Sequence, residues 1–371
     1  MVFGLFSKKW NPDGKHVYIP GGSQGLGLAL ATLLVQKGAH VSIVARNQDR
    51  LNIALAEMEK CRQTPSQILQ ARSHSLSTAE GAKAALEAIC AAHNGEAPDA
   101  VLTCAGSSKP MFFLEMTEED LANGMTNGYW VQAWTAWAAA KKMAQQKKRG
   151  AKIVLVSSML GYMSFVGWAS YAPAKHALRA LGDTLQSELM LYGIDVQVFF
   201  PPTMYSPGYD EENKTKPQLV KDIEGTDEGL TCEQAALAMF KGMQRGDAHI
   251  SGDILTSLFA ASTRGATYRT NFLLEGLFDF VAYVSGFRAS GREADGTHDG
   301  WFDRLRLRCG GRVWTSRCWL IVKSMSGTCS KRGSLRRAQS DRPIQFNLPC
   351  LGFQFGNRVA SDECSGNVIA A

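Results

Sequence analysis

The stretch HVYIPGGSQGLGLALATLLVQKGAHVSIVAR, residues 16–46, limits the possible folds more than any other part of the chain. An apolar run at 17–19 stops at Pro20 and Gly21, and apolar residues then recur at helical spacing over 28–37. Residues 41–45 are again apolar and largely β-branched. This order predicts a strand, a glycine-rich turn, a helix and a second strand.

The same alternation continues along the chain to residue 202. Further helices are predicted at 54–63, 79–93, 118–147 and about 170–191, and further strands at 66–77, 99–106, 151–158 and 194–202. Strands that alternate with helices of this length need right-handed crossovers, which place helices on both faces of a parallel sheet. The predicted fold class is therefore α/β, a doubly wound Rossmann-type parallel sheet.

The domain organisation follows from a change in composition near residue 288. We predict an N-terminal segment at 1–12, one nucleotide-binding domain at 13–270, an apolar helical segment at 271–290 and a disordered basic tail at 291–371. The composition of the tail also fits translation in an unintended reading frame.

The charge balance argues against nucleic acid as a partner. Residues 288–371 hold 14 of the 40 Lys and Arg residues but 7 of the 34 Asp and Glu residues. That leaves 26 basic and 27 acidic residues before position 288, so the body is nearly neutral and has no basic stripe for phosphates.

Cysteine spacing and hydropathy exclude other classes of protein. The nine cysteines form no C-x-x-C pair and the seven histidines form no ligand cluster with them, so we expect neither a metal site nor a disulfide framework. Scattered thiols suit a reducing compartment. The start, MVFGLFSKKW, is too short and polar for a signal peptide, and no run of 18 uncharged apolar residues predicts a spanning helix.

The turn GGSQGLG predicts a dinucleotide site. Gly21, Gly25 and Gly27 have the spacing that permits positive φ and a close approach of the backbone to a pyrophosphate at a helix N-terminus. Ser23, Gln24 and Leu26 complete the predicted binding loop. The alternative is a structural turn that merely needs small residues.

Arg46 indicates which dinucleotide is bound. It lies 19 residues after Gly27, at the end of the second strand, where an acidic residue would accept hydrogen bonds from a ribose 2′-hydroxyl. An arginine pairs with a 2′-phosphate instead, which favours NADPH over NADH. The alternative is an exposed arginine at a strand end.

Three side chains further along predict carbonyl reduction. Ser158 ends the predicted fifth strand, and Tyr171 and Lys175 lie four residues apart at the start of the next helix, on one face. A lysine ammonium should lower the pKa of the tyrosine, which can then protonate the oxygen that becomes negative as hydride reaches the carbon. The serine hydroxyl can orient the carbonyl. The alternative is an ordinary Tyr–Lys pair on a helix.

Together, G-x-x-x-G-x-G and Ser-x12-Tyr-x3-Lys resemble the short-chain dehydrogenase/reductase family over roughly residues 13–287. The resemblance implies that Asn127 supports a proton-relay water near the lysine. It also implies that TCAG at 103–106, with Ala105 and Gly106, supports the cofactor, that Tyr171 and Lys175 contact it, and that a homodimer forms through 118–147 and 170–191. Pro20, Thr103 and Cys104 depart from the usual residues of the family.

The segment FFPPTMYSPGYDEENKTKP, residues 199–217, is similar to the corresponding loop of 3-ketodihydrosphingosine reductases within that family. This resemblance implies NADPH-dependent reduction of a long-chain sphingoid amino ketone at the cytosolic face of the endoplasmic reticulum membrane. The segment is either a lid whose acids meet the substrate ammonium or a solvated surface loop. Two rival functions remain open: reduction of another lipophilic ketone (a steroid, a retinoid or an acyl ketone), and non-catalytic NADP(H) sensing or scaffolding.

The apolar segment NFLLEGLFDFVAYVSGF, residues 271–287, is the candidate for membrane contact. Glu275 and Asp279 interrupt it four residues apart on one face, which favours a helix lying in the membrane interface. The alternative is a helix that packs on the body or on a partner subunit.

Overall fold

The computed structural model describes residues 9–224, 229–263 and 272–284. A seven-stranded parallel sheet has the order β3-β2-β1-β4-β5-β6-β9, and β7 and β8 form a separate parallel pair. The strands are β1 His16–Pro20, β2 His40–Ala45, β3 Leu69–Ser73, β4 Ala100–Thr103, β5 Ala151–Val156, β6 Ile194–Phe200, β7 Met204–Tyr205, β8 Leu230–Thr231 and β9 His249–Ser251.

Helices cover both faces of this sheet. They are α1 Gly25–Val35, α2 Gln48–Lys60, α3 Ala79–Cys90, α4 Glu118–Met125, α5 Val131–Gln145, α6 Ala172–Leu189, α7 Pro207–Thr215, α8 Gln218–Glu224, α9 Cys232–Arg245, α10 Ile254–Ser262 and α11 Phe272–Val284. One buried cluster joins the sheet to α1, α2 and α9, and a second joins it to α3, α5 and α6. The predicted doubly wound α/β class is confirmed.

The strand order determines where a ligand can bind. The chain runs outward from β1 to β3 and then crosses back to β4, which pairs with the other side of β1. The loops after β1 and β4 therefore leave in opposite directions and open a crevice at the carboxyl ends of the strands. Since β5 lies next to β4, its loop opens on the same edge.

The helix predicted over 118–147 is interrupted. A π-helical turn, Thr126–Trp130, separates α4 from α5. The interruption coincides with tight contacts, because a Cβ on Gly124 would collide with the backbone of Ser170, and one on Gly128 would lie 2.6 Å from the side chain of Ala174. The continuous helix was wrong here because these contacts join parts of the chain that are distant in sequence.

The last described helix, α11, has one apolar face turned outward. Leu273, Leu277 and Phe280 are exposed, whereas Glu275 and Asp279 are partly buried. Within the described ranges, no helix is long and apolar enough to cross a membrane. The apolar segment was predicted at 271–290, and its residues 271 and 285–290 lie outside the described residues, as do the predicted tail at 291–371 and residues 1–8 of the N-terminal segment.

Candidate active site

The glycine turn after β1 has the conformation that its sequence predicts. Gly21 has φ +81°, and a Cβ there would lie 2.5 Å from the backbone nitrogen of Ala105. A Cβ on Gly27 would collide with the carbonyl oxygen of Gly21. Gly25 also has a positive φ, +57°, which strains other residues. The loops after β1 and β4 thus touch through their backbones, and Gly21 has no room for a side chain.

No side-chain cap accepts hydrogen bonds from the backbone N–H groups in the first turn of α1. Gln24 is the N-cap residue, but its side chain does not cap the helix, and the first turn holds no acidic residue. The side-chain amide oxygen of Gln24 instead accepts a hydrogen bond from the Arg50 guanidinium at 2.7 Å. Ser23 is partly exposed beside the turn, and Leu26 is buried in the core. Free helical N–H groups and a positive dipole end suit a pyrophosphate.

Two arginines lie near the carboxyl end of β2. Arg46 follows the strand directly and is exposed, and its carbonyl accepts a hydrogen bond from the Ser73 hydroxyl at 2.9 Å. Arg50 lies in the first turn of α2, where its N–H donates to the N-cap side chain of Asn47 at 2.8 Å. Arg50 was not predicted from the sequence, although its position four residues after Arg46, near a helix start, was a usable signal.

The end of β4 meets the interrupted helix. Gly106 leaves little space, since a Cβ there would lie 3.1 Å from the carbonyl oxygen of Asn127 in the π-helical turn. The hydroxyl of Thr103 donates to the side chain of Gln132 at 2.7 Å, and Gln132 donates to the Val156 carbonyl of β5. Thr103 therefore holds β4, β5 and α5 together. The structure places Asn127 beside the cofactor-supporting segment, and π-helical turns are frequent at functional sites.

Ser158, Tyr171 and Lys175 come together at the carboxyl end of β5. Ser158 accepts a hydrogen bond from the Leu160 N–H at 3.2 Å and is hydrogen-bonded to Tyr171, which precedes α6 directly. The Lys175 ammonium nitrogen lies 5.2 Å from the centroid of the Tyr171 ring and donates to the Val156 carbonyl at 3.0 Å. The predicted grouping of the three side chains is present.

The predicted direction of the Tyr171 pKa is wrong for this arrangement. Burial raises the pKa of Tyr171, the negative charge of Glu212 raises it further, and the hydrogen bond with Ser158 lowers it. Burial also lowers the pKa of Lys175 to about 7, partly offset by Cys104. Removal from water is the largest cause of the pKa shift for both groups. The phenol keeps its proton at neutral pH.

A cavity of about 470 Å³ opens beside the phenol. Its lining residues come from the loop after β4, from α4 and from the segment before α6: Ser107, Ser108, Lys109, Thr117, Glu119, Asp120, Asn123, Gly124, Asn127, Ser170 and Tyr171. Because the cavity adjoins both Tyr171 and Asn127, it is the candidate substrate site.

The segment after β6 is folded and packed, not a solvated loop. It forms α7 and α8, and the ammonium nitrogen of Lys216 lies 2.8 Å from Glu212 and 2.5 Å from Glu224. The Lys216 side chain is only 1% exposed. The indole of Trp168 donates to Glu224 at 3.1 Å. A nearly buried ion cluster therefore fixes α7 and α8 beside the cavity.

Comparison with known proteins agrees with this geometry. The family model described as short chain dehydrogenase matches residues 15–217. The chain belongs to the short-chain dehydrogenase family. A solved short-chain dehydrogenase/reductase from Mycobacterium ulcerans has the same fold, with a TM-score of 0.57 and 21% identity, over 66% of this chain and 90% of that one.

Curated relatives with greater similarity share one printed name. The chain is 41% identical over 285 residues to a 3-ketodihydrosphingosine reductase of Cryptococcus neoformans, covering 76% of this chain and 84% of that one. It is 31% identical to the 3-ketodihydrosphingosine reductase of Dictyostelium discoideum, covering 68% and 79%. In Schizosaccharomyces pombe the match is a fusion protein, 36% identical, covering 74% and 54%.

The residues present fit the nicotinamide cofactor that this family uses. Gly21 lets the backbone of the turn after β1 come close to a ligand, because it has no side chain, and the first turn of α1 has no side-chain cap. Together they form a site that suits a pyrophosphate. Tyr171 and Lys175 lie at the same edge of the sheet, where the family's chemistry takes place.

Proposed function

We propose that the protein is an NADPH-dependent reductase that converts 3-ketodihydrosphingosine to dihydrosphingosine. The observation that carries the proposal is the grouping of Ser158, Tyr171 and Lys175 beside a cavity of about 470 Å³. The printed name shared by the curated relatives supports the choice of ketone.

The chain's own residues then supply the acid and the orientation. When bound, the reduced nicotinamide supplies the hydride. Tyr171, whose raised pKa keeps it protonated, donates its proton to the ketone oxygen as that oxygen becomes negative. Ser158 holds the phenol and orients the carbonyl. Lys175, with a pKa lowered to about 7, can return a proton to Tyr171 near neutral pH, and Asn127 lies where it can support that transfer through water.

A reductase assay on the purified full chain tests this function. We expect oxidation of NADPH that depends on 3-ketodihydrosphingosine, with dihydrosphingosine formed in equal amount, and much slower reaction with NADH. A steroid, a retinoid and an acyl ketone of similar length run in parallel address the rival substrates. Faster reduction of one of these would contradict the proposed substrate, and no reduction of any ketone would favour the non-catalytic role.

The preference for NADPH depends on Arg46. We expect Arg46→Gln to weaken NADPH binding about 10- to 100-fold, because a charge-assisted contact to the 2′-phosphate is lost. The affinity for NADH should stay unchanged. Arg46→Asp should in addition increase the affinity for NADH, since a carboxylate can accept hydrogen bonds from the ribose hydroxyls. Fluorescence titration of both nucleotides measures this. An unchanged NADPH affinity in both variants would contradict the assignment.

We also propose that α11 attaches the protein to the cytosolic face of the endoplasmic reticulum membrane. Leu273 is 83% exposed and Leu277 55% exposed, and with Phe280 they form an outward apolar stripe, while Glu275 and Asp279 are partly buried. Such a face suits the interface between headgroups and acyl chains. Microscopy of the full chain and protease protection of sealed microsomes test the location.

Vesicle binding tests the stripe itself. Leu273→Glu combined with Leu277→Glu should lower sedimentation with phosphatidylcholine vesicles at least tenfold, because two buried leucines are worth several kcal/mol. Reduction of a water-soluble ketone should stay unchanged. Ile53→Glu, at a residue of α2 that is 63% exposed, is the matched control. Equal loss in this control would show that the stripe is not the attachment.

A homodimer through the helices at 118–147 and 170–191 remains part of the proposal. Trp130 and Trp137 are exposed large aromatic residues of the first segment, and Met190 and Leu191 are exposed apolar residues of the second. Buried aromatic side chains are common in the cores of interfaces. Sedimentation of the full chain in a non-ionic detergent measures the oligomeric state.

A further inference from the structure

We propose that Glu212 binds the ammonium group of the substrate and thereby selects amino ketones, an inference that rests on the proposed function above. Dihydrosphingosine and its ketone are amines, and the amine is on the carbon next to the carbonyl carbon. A residue that recognises this amine must therefore lie beside the group that protonates the ketone oxygen.

The position of Glu212 meets this requirement. It lies on α7, and one of its carboxylate oxygens accepts a hydrogen bond from the Ser108 hydroxyl at 2.5 Å. Ser108 lines the same cavity as Tyr171. The Glu212 side chain is 15% exposed, so its carboxylate, hydrogen-bonded to a residue of the cavity wall, has little access to bulk water.

Glu212 is also electrostatically coupled to the proton donor. Its negative charge raises the pKa of Tyr171, so its field reaches the phenol. The two acids in the cavity lining, Glu119 and Asp120, accept hydrogen bonds from neighbouring residues. Asp120 accepts from Lys109 at 2.6 Å and from the capping residue Thr117, and Glu119 accepts from Asn123 on α4. Glu212 also has partners, Ser108 and Lys216, but its charge, unlike that of Glu119 or Asp120, acts on Tyr171, so it is the better match for a cation next to the reacting carbonyl.

The charges around Glu212 are unbalanced. Glu212 and Glu224 share the ammonium of Lys216, at 2.8 and 2.5 Å, and neither carboxylate forms another ion pair within the described residues. Burial raises the pKa of Glu224, but both its oxygens accept hydrogen bonds, from Lys216 and from Trp168, which favours the ionised form. Two carboxylates against one ammonium leave a net negative charge in a nearly buried place, which is costly. A substrate ammonium would balance it.

The experiment compares two ketones. One is 3-ketodihydrosphingosine, and the other is the same chain with hydrogen in place of the amine. For Glu212→Gln we expect kcat/KM for the amino ketone to fall about 10- to 100-fold, mainly through KM, because a charged hydrogen bond is lost. For the deaminated ketone we expect a change below threefold. Glu211→Gln, at the adjacent residue that pairs with Lys214 on the surface, is the matched control and should keep the wild-type preference.

A pH profile gives a second measurement that a purely structural role would not change. Ser108 and Lys216 contact the Glu212 carboxylate, Glu224 reaches it through Lys216, and its charge acts on Tyr171. Removing the charge of Glu212 removes one cause of the raised Tyr171 pKa. With the deaminated ketone, the alkaline limb of kcat/KM should therefore move to lower pH in Glu212→Gln. Glu212→Asp keeps the charge, so its alkaline limb should lie close to the pH of the wild-type limb.

The outcomes separate the two proposals. If the wild type reduces neither ketone, the proposed function fails and this inference fails with it. Suppose that the wild type prefers the amino ketone. If Glu212→Gln keeps that preference, or if its kcat/KM falls equally for both ketones, only the role of Glu212 is overturned. If Glu212→Gln does not fold, Glu212→Asp decides: the shortened carboxylate should lower the preference several-fold, and an unchanged preference overturns the inference.

Discussion

Replacing Tyr171 by Phe should lower the turnover of the ketone about 10²- to 10⁴-fold, the range that a positioned general acid contributes. The ring and its packing against Trp168 remain, while the hydroxyl bonded to Ser158 is lost. Nicotinamide binding should change less than threefold. Stopped-flow measurement of nicotinamide oxidation gives the rate, and fluorescence titration gives the binding.

Tyr192→Phe provides the control, since Tyr192 is an exposed residue at the end of α6. It should behave as the wild type in both measurements. Normal turnover of Tyr171→Phe would show that another group donates the proton. Equal losses of turnover and nicotinamide binding would show that Tyr171 mainly shapes the binding site.

Gly21→Ala should abolish nicotinamide binding, with a loss of at least 100-fold, and destabilise the fold. A left-handed conformation costs an alanine about 1–2 kcal/mol, and here the new methyl group would also lie 2.5 Å from the backbone nitrogen of Ala105. The clash must displace either the turn after β1 or the loop after β4. Isothermal titration with nicotinamide nucleotides and thermal unfolding measure the two effects.

Gly14→Ala is the matched control because it introduces the same unfavourable backbone conformation without a steric clash. Gly14 has φ +69°, yet no atom lies within 4 Å of a Cβ built there. The control should lower stability by about 1–2 kcal/mol and leave binding intact. Equal binding losses in the two variants would contradict the close approach of the two loops.

Much of the fold could be predicted from the sequence because its central strands are local and strongly apolar. The runs that became β1, β2 and β5 are mostly apolar and each contains Val and Ile, as is typical of buried parallel strands. The edge strand β9 was missed because His249–Ser251 is too short for any periodicity. Its pairing with β6 depends on a contact far along the chain.

The segment after β6 was missed as helix, although a local signal existed. Ser206 caps α7 and accepts from the N–H of Tyr209, and Pro207 follows at the first helical position. Ser followed by Pro is a common helix start, but the Pro-Gly pair also predicts a loop. The position of Glu212 beside Ser108 could not be predicted, since 104 residues separate them.

The side chains proposed for catalysis were predictable as a set, but their electrostatics were not. Spacing alone placed Tyr171 and Lys175 on one helix face. The direction of each pKa shift depends on burial, which is known only from the packed structure. Burial raises the pKa of Tyr171 and lowers that of Lys175, whose ammonium is held by the Val156 carbonyl.

The π-helical turn between α4 and α5 makes chain length critical at one point. Thr126–Trp130 contains one residue more than a regular helical path needs. Deleting a single residue there would convert the turn to α-helix and leave α4 and α5 in nearly the same relative orientation, but it would remove the local bulge of the backbone that carries Asn127. Asn127 would then change its position on the cavity wall. Variation among natural or designed forms of this enzyme should therefore tolerate exchanges in this turn far better than insertions or deletions.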